Sequence, residues 1–298
     1  MEDRDLQVSI QGSLLRVARL DAELYQFVRH PEALIERLKA SGDRVDILTF
    51  LQGLPEQPPQ YSYQMEWDNL AVLEVSTLEN WWNHQIRSTA RNRAKQAVKK
   101  GIVIREVPFD ENLARGIWGI FNESPVRQGR RFRHYGKSYE AVYAMVATYL
   151  DCSRFIGAYH GEELIGFIKM VADQTGVQAG LMNIMSKIGY RDKAPNNALL
   201  AEAIQSCSKQ GIKYLVYDNY AYGKKEHDSL IDFKERNGFQ RVNVPRYYVA
   251  LTPLGHAALR MGLQRRLVER FPEPVARKLR DLRKYWLSRS VTSTGEAA

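Results

Sequence analysis

Phe155-Ile-Gly-Ala-Tyr-His-Gly-Glu-Glu-Leu-Ile-Gly166 is the stretch that decides how this chain folds. Aliphatic and aromatic residues flank Gly161-Glu162, which predicts a hairpin with strands over 154–160 and 164–171. A third strand, 177–186, follows without an intervening helix, so the three form a meander. Outward from it, residues 195–210 read as a helix closed by Gly211, then a strand at 213–218. A helix over 226–237 ends at Gly238, and 241–251 is a last strand. Upstream, 138–150 is a helix, Pro108 and Asp110 open another that ends near Asn122, and 102–107 is a strand. A meander followed by two strands with a crossover helix gives a mixed sheet.

The flanking regions are less regular. Residues 13–20 and 45–51 have the composition of short strands, separated by a helix from His30-Pro31 to Ala40. Three prolines make 54–60 a loop. Residues 61–76 read as a strand pair turning near Asp68-Asn69. Ser76 and Glu79 have capping-box spacing, which predicts one helix running to Lys100 and Gly101. Near the C-terminus, Leu263, Leu267 and Phe271 recur every four residues. After two prolines Val275, Leu279, Leu282 and Trp286 follow at helical spacing. Two basic amphipathic helices are expected there, able to dock on the rest of the chain, cover nucleic acid or lie on an anionic membrane surface. Docking is the commoner outcome for such a stripe.

Charge is segregated along the sequence. The net charge is +9 over 298 residues, yet residues 80–105 hold seven basic residues and no acid. Residues 124–139 hold five basic and none acidic, and 260–289 ten basic and three acidic. Such clusters favour a polyanion, an anionic membrane or a phosphorylated substrate, unless each is the wet face of an amphipathic helix. No run of 18 apolar residues exists, the start is acidic rather than signal-like, and the two cysteines form no framework or metal knuckle. A cytoplasmic, metal-free protein is expected.

The element order from residue 110 is also that of the GNAT acyltransferase fold. A set of ordered motifs narrows this. Arg91-Asn-Arg-Ala-Lys95, Lys99-Lys100-Gly101-Ile-Val, Arg127-Gln-Gly129, the hairpin quoted above, Pro195-Asn-Asn-Ala-Leu-Leu200, Tyr217-Asp218, Leu230-Ile-Asp-Phe-Lys234 and Gly238-Phe239 resemble, in order, the FemAB-like (FemABX) transferases. The resemblance covers about residues 75–250. It implies an α/β architecture with a GNAT-like mixed sheet, flanking helices and two GNAT-like subdomains. These would be 1–107 and 108–252, with 253–298 as C-terminal basic helices and tail. It also implies transfer of an amino acid from aminoacyl-tRNA onto an amine, typically of a peptidoglycan precursor. No further cofactor is implied.

The resemblance places at Lys234 a lysine that binds donor or stabilises the transition state. A fixed ammonium beside a tetrahedral oxyanion would do so electrostatically. The competing reading is an exposed helix lysine paired with Glu235 or neighbouring acids. Asp218, Tyr217, Tyr220 and Tyr222 crowd the expected cleft and could take a proton from the acceptor amine or hold the acyl carbonyl. Aromatic packing accounts for at least two of them, and Phe233 is core before it is a cleft wall. His227 reads as a helix-start surface residue. Without a nucleophile elbow or a Cys–His arrangement, transfer is expected to be direct.

Arg127 and Arg131, with Arg130 and Arg133 and interleaved aromatic rings, are candidates to hold a phosphate-bearing ligand, either a nucleotide-linked acceptor or tRNA, or else form an exposed mobile loop. Lys187, Arg191 and Lys193 are candidates for donor phosphates, or form a solvated basic loop. That loop has one glycine, Gly189, and lacks the Gly-rich pattern with which CoA-using enzymes cradle a diphosphate. A CoA- or carrier-protein-dependent N-acyltransferase is the first rival, and a non-catalytic RNA-binding module the second.

Overall fold

A computed structural model describes residues 6–55, 58–221 and 228–264. The first strands are β1 (Val8–Gln11) and β2 (Val17–Leu20), then helix α1 (Pro31–Ala40), β3 (Ile47–Leu51) and β4 (Gln64–Glu74). Residues 13–16, predicted as strand, form the connection between β1 and β2, with Gly12 at φ 95°. The strand pair predicted over 61–76 is one eleven-residue strand. Asp68 and Asn69 do not turn the chain: both are in register with β12 (Gln240–Ala250), opposite Val244 and Asn243.

The single helix predicted from Ser76 to Lys100 is broken into α2 (Leu78–Asn80), a π-helical turn Trp81–Gln85, and α3 (Ser88–Lys99). Thr77, not Ser76, is the N-cap, accepting from the Asn80 N–H. Ile86 and Arg87 are extended. The break lets Trp81 and Ile86 both reach the core, and the Trp81 indole N–H donates to the Asn237 carbonyl at 2.9 Å. β5 (Ile102–Val107) and α4 (Glu111–Phe121) follow, the helix capped by Asp110. A two-rung hairpin, β6 (Val126–Arg127) and β7 (Arg130–Arg131), precedes α5 (Tyr139–Val146). α5 is shorter than predicted.

The meander is β8 (Ser153–His160), β9 (Glu163–Ala172) and β10 (Gln178–Ser186), as the sequence predicts to within one or two residues. After a short 3-10 turn, Ile188–Lys193, come α6 (Pro195–Gln210), β11 (Tyr214–Asn219), α7 (Ser229–Arg236), β12 and α8 (Pro253–Arg260). Ten strands form one mixed sheet in the order β1-β2-β3-β12-β4-β11-β10-β9-β8-β5. Strands from before residue 107 thus lie at both edges and in the middle. On one face, α3 and α6 close the largest core, with Leu199, Leu200 and Ile204 fully buried against Ile156, Ile168 and Leu215. Each such side chain contributes about 1.5–3 kcal/mol. α4 and α5 cover the opposite face through Ile117, Phe121 and Val142 on Phe155 and Phe167. α8 docks through Ala258 and Leu259 on Ile47 and Tyr248, while the helices expected after residue 264 lie outside the described residues.

Candidate active site

β10 and β11 run parallel, and their ladder covers only Gln178–Gly180 against Tyr214–Val216. There the strands part. β10 shifts register against β9 between Leu181 and Asn183, and β11 against β4 between Val216 and Asn219. An extra residue on each strand bends it and ends the pairing. In β11, Asp218 lies within this irregular stretch, at φ 52°, a region that Asp enters more readily than most residues. Gly180 closes the ladder, and a Cβ there would lie 2.9 Å from the Tyr25 ring. The segment carrying Tyr25 therefore packs directly on β10 where the gap opens.

Lys234, on α7, reaches the end of β11, the strand on one side of this gap. The helix starts on Asp228, which accepts from the Leu230 N–H, and Gly238 ends it at φ 89°, where a Cβ would come within 3.1 Å of the Gln85 carbonyl. Lys234 is 0% exposed. Its Nζ donates to the Asn219 carbonyl at the end of β11 and lies 4.7 Å from the centre of the Tyr217 ring, a cation–π distance. Burial pulls its pKa down to about 8, against the pull of Asp218 and Asp228. The reading as an exposed lysine is corrected, since the side chain is buried, and Glu235 pairs with Arg87 at 2.6 Å; of the neighbouring acids, Asp218 and Asp228 attract its charge. Burial also raises the Tyr217 pKa, and the ring packs edge-on to Phe233 and Phe239. Phe233 is partly buried and packs against the largest core.

The carbonyl that holds Lys234 is itself held. Asn219 Nδ2 donates to Asp68 Oδ1 at 2.7 Å and to the Asn69 carbonyl at 3.0 Å. Asn69 also accepts from the Tyr220 and Ala221 N–H groups, through its carbonyl and its Oδ1. Asp68 Oδ2 accepts from Arg246 Nε at 2.9 Å, and Arg246 is bidentate to Glu23 at 2.6 and 2.9 Å. A continuous polar chain therefore runs Glu23–Arg246–Asp68–Asn219–Lys234. Sequence reasoning missed its first four members. The one available signal is Asp68-Asn69, two polar residues inside a strand-like run, whose turn propensity conceals their place in the sheet.

Structure brings Lys234, Tyr217, Asp218, Tyr220 and Phe233 to the end of β11; Tyr222 and His227 lie outside the described residues. Arg127 lies on the β10 side and is taken up internally. It donates to the Ser186 and Ile120 carbonyls at 2.8 and 2.6 Å and pairs with Glu123 at 3.1 Å. Glu123 in turn accepts from the Ile188 and Gly189 N–H groups at 2.6 and 3.0 Å. Arg127 is thus a latch between α4 and the loop after β10. Arg131 stands exposed on its hairpin. Of the donor-loop candidates, Lys187 pairs with Glu163 and Lys193 Nζ donates to His160 Nε2 at 3.1 Å, while Arg191 is exposed. The α6 N-terminus offers few open donors. Pro195 has no N–H, and the Ala194 and Asn197 N–H groups bond the Arg191 and Ala194 carbonyls.

No family model matches the chain, and no curated protein matches it by sequence. Solved structures do. The C-terminal DUF2156 domain of a protein named as a lysylphosphatidylglycerol synthetase, from Agrobacterium fabrum, superposes with a TM-score of 0.56 at 15% identity, covering 86% of this chain and 83% of its own. L-PGS from Bacillus licheniformis gives 0.56 at 13%, covering 85% and 83%. FemX gives 0.52 at 11%, covering 80% and 83%. These likenesses establish the fold. It is GNAT-like, as the element order predicted.

Proposed function

We propose that this protein is an acyltransferase that forms an amide by direct transfer of an aminoacyl group from aminoacyl-tRNA to an amine. The observation that carries the reading is the buried Lys234 ammonium, fixed by Asn219 and Tyr217 where β10 and β11 part. The acceptor nitrogen attacks the ester carbonyl, and the resulting oxyanion develops beside a charge that needs no reorganisation. Collapse breaks the ester C–O bond, the ribose oxygen takes the proton lost by the amine, and the amide remains. Asp218 or an ordered water accepts that proton first, and the Tyr217 ring holds the ammonium in place.

Two features support an aminoacyl-RNA over a CoA donor. A diphosphate would need backbone N–H groups at the α6 N-terminus, where Pro195 lacks one and neighbours are already bonded. The Ile188 and Gly189 N–H groups are occupied by the Glu123 carboxylate. The resemblance to FemAB-like transferases and the fold shared with FemX and L-PGS agree with this reading.

The test is a transfer assay with bulk aminoacylated tRNA and a panel of amines, among them peptidoglycan precursors and anionic-lipid vesicles. Amide formation by the wild type, lost in Lys234→Met with the melting temperature retained, is the expected result. Turnover with acetyl-CoA alone would replace the donor assignment.

A further inference from the structure

α3 carries a charge pattern that its own stability does not explain. Its inner face is Ala90, Ala94 and Ala97, small enough for close packing on α6. Its outward residues include Arg93, Lys95 and Lys99, all exposed, and there is no acid in the helix. Arg91, Lys95 and Lys99 stand four residues apart, a like-charge spacing that costs about 0.2–0.5 kcal/mol per pair. Among the described residues, Arg93, Lys95 and Lys99 make no ion pair, whereas the flanking Arg87 and Lys100 do, with Glu235 and Asp192. Those two pairs also locate the helix. At its N-terminal end the Arg87 N–H donates to the Arg236 carbonyl at 2.9 Å, on the helix that bears Lys234. At its C-terminal end Lys100 holds the 3-10 turn before α6. α3 therefore runs from the Lys234 helix to the loop with Arg191 and Lys193.

We infer that the outer face of α3 is the docking surface for the sugar-phosphate backbone of an RNA stem whose 3′ end enters the gap between β10 and β11. This rests on the aminoacyl-RNA reading above and assigns the surface that reading leaves open. Lysine and arginine side chains on one convex face match a row of phosphates and require no base readout. An anionic membrane fits less well. A helix lying on lipid presents large apolar side chains beside its charges, and Val98 is the one exposed aliphatic residue of α3.

Full-length protein is titrated with a labelled RNA stem-loop carrying a single-stranded 3′ end, at salt between about 50 and 200 mM. Arg93→Gln/Lys95→Gln/Lys99→Gln is expected to weaken binding at least tenfold and to lower the salt slope by about two to three. Lys39→Gln/Lys209→Gln/Lys213→Gln removes the same charge from exposed positions elsewhere on the protein and is expected to stay within about twofold of wild type. Equal loss in both variants, or none in the α3 variant, overturns the assignment. So does binding to phosphatidylglycerol vesicles that depends on α3 while RNA binding does not. Lys234→Met should bind RNA as wild type does. RNA bound through α3 without transfer would remove the proposed activity and leave the surface; transfer indifferent to α3 would do the reverse.

Discussion

Two lysines, Lys169 and Lys234, are each 0% exposed, and burial brings the pKa of each down to about 8. Their surroundings differ. Lys169, on β9, donates to the Val146 carbonyl, the Thr148 carbonyl and Thr148 Oγ1. All three N–H groups of its ammonium serve the end of α5, whose last carbonyls have no helical partner. Phe155 lies alongside, in a closed core. Lys234 instead holds the last carbonyl of a strand that has just left its neighbour. Burial and a shifted pKa are common to both and do not mark a reactive group. What separates the two is position: Lys234 alone holds a carbonyl of β11 past the rungs where β10 and β11 pair.

Several substitutions sharpen that contrast or break it. Lys234→Met should cut amide formation about 10²–10³-fold, the scale of one lost oxyanion donor, and cost only about 1 kcal/mol of stability. Activity within a few-fold of wild type would make Lys234 a second Lys169. Lys169→Met should do the opposite: about 2–3 kcal/mol lost in thermal or urea unfolding, from orphaned buried carbonyls, with turnover of the folded fraction near wild type. A large loss of turnover without loss of stability would erase the distinction.

Asp68→Asn keeps the shape of the polar chain and weakens its hold on Arg246 and Asn219. It should lower turnover about tenfold, roughly 1.4 kcal/mol, while leaving the substrate KM within twofold. A change in KM alone would place Asp68 in binding rather than in positioning Asn219.

The smallest effect is in the pH dependence of stability. Each lysine binds its proton less tightly folded than unfolded, so the unfolded chain holds more protons above pH about 8. Stability should therefore rise between about pH 8 and 10, on the order of 1 kcal/mol per pH unit for each lysine. Above about pH 10 the buried phenols of Tyr25, Tyr217 and Tyr248, whose pKa values burial raises, act in the other direction. Lys169→Met and Lys234→Met should each flatten the rise, measured by denaturant midpoint against pH. An unchanged slope in either would mean that lysine is not neutralised on that schedule.

Much of the fold was legible because its signals are local. α6 starts at Pro195 and stops at Gly211, and β5 runs from Ile102 to Val107, where the sequence placed both. Lys234 was legible through the motif Leu230-Ile-Asp-Phe-Lys234, although not its burial. The helix break at Trp81–Arg87 was not legible, because what breaks it is a hydrogen bond to Asn237 and the burial of Ile86. Nor was the role of Asp68-Asn69, a pair with good turn propensity that tertiary pairing with β12 overrides.

By itself the sequence determined the meander, the helix that follows it, the separation of charge and the candidate lysine, since each depends on residues within a few positions of one another. Only the tertiary structure decided that β10 and β11 part after three rungs and that Arg127 is a latch. It alone brought Glu23, Asp68 and Arg246 to the carbonyl holding Lys234. Asp68 meets Asn219 across 151 positions and Arg246 meets Glu23 across 223. Such contacts arise when strands from distant parts of the chain enter one sheet, and no local periodicity records them.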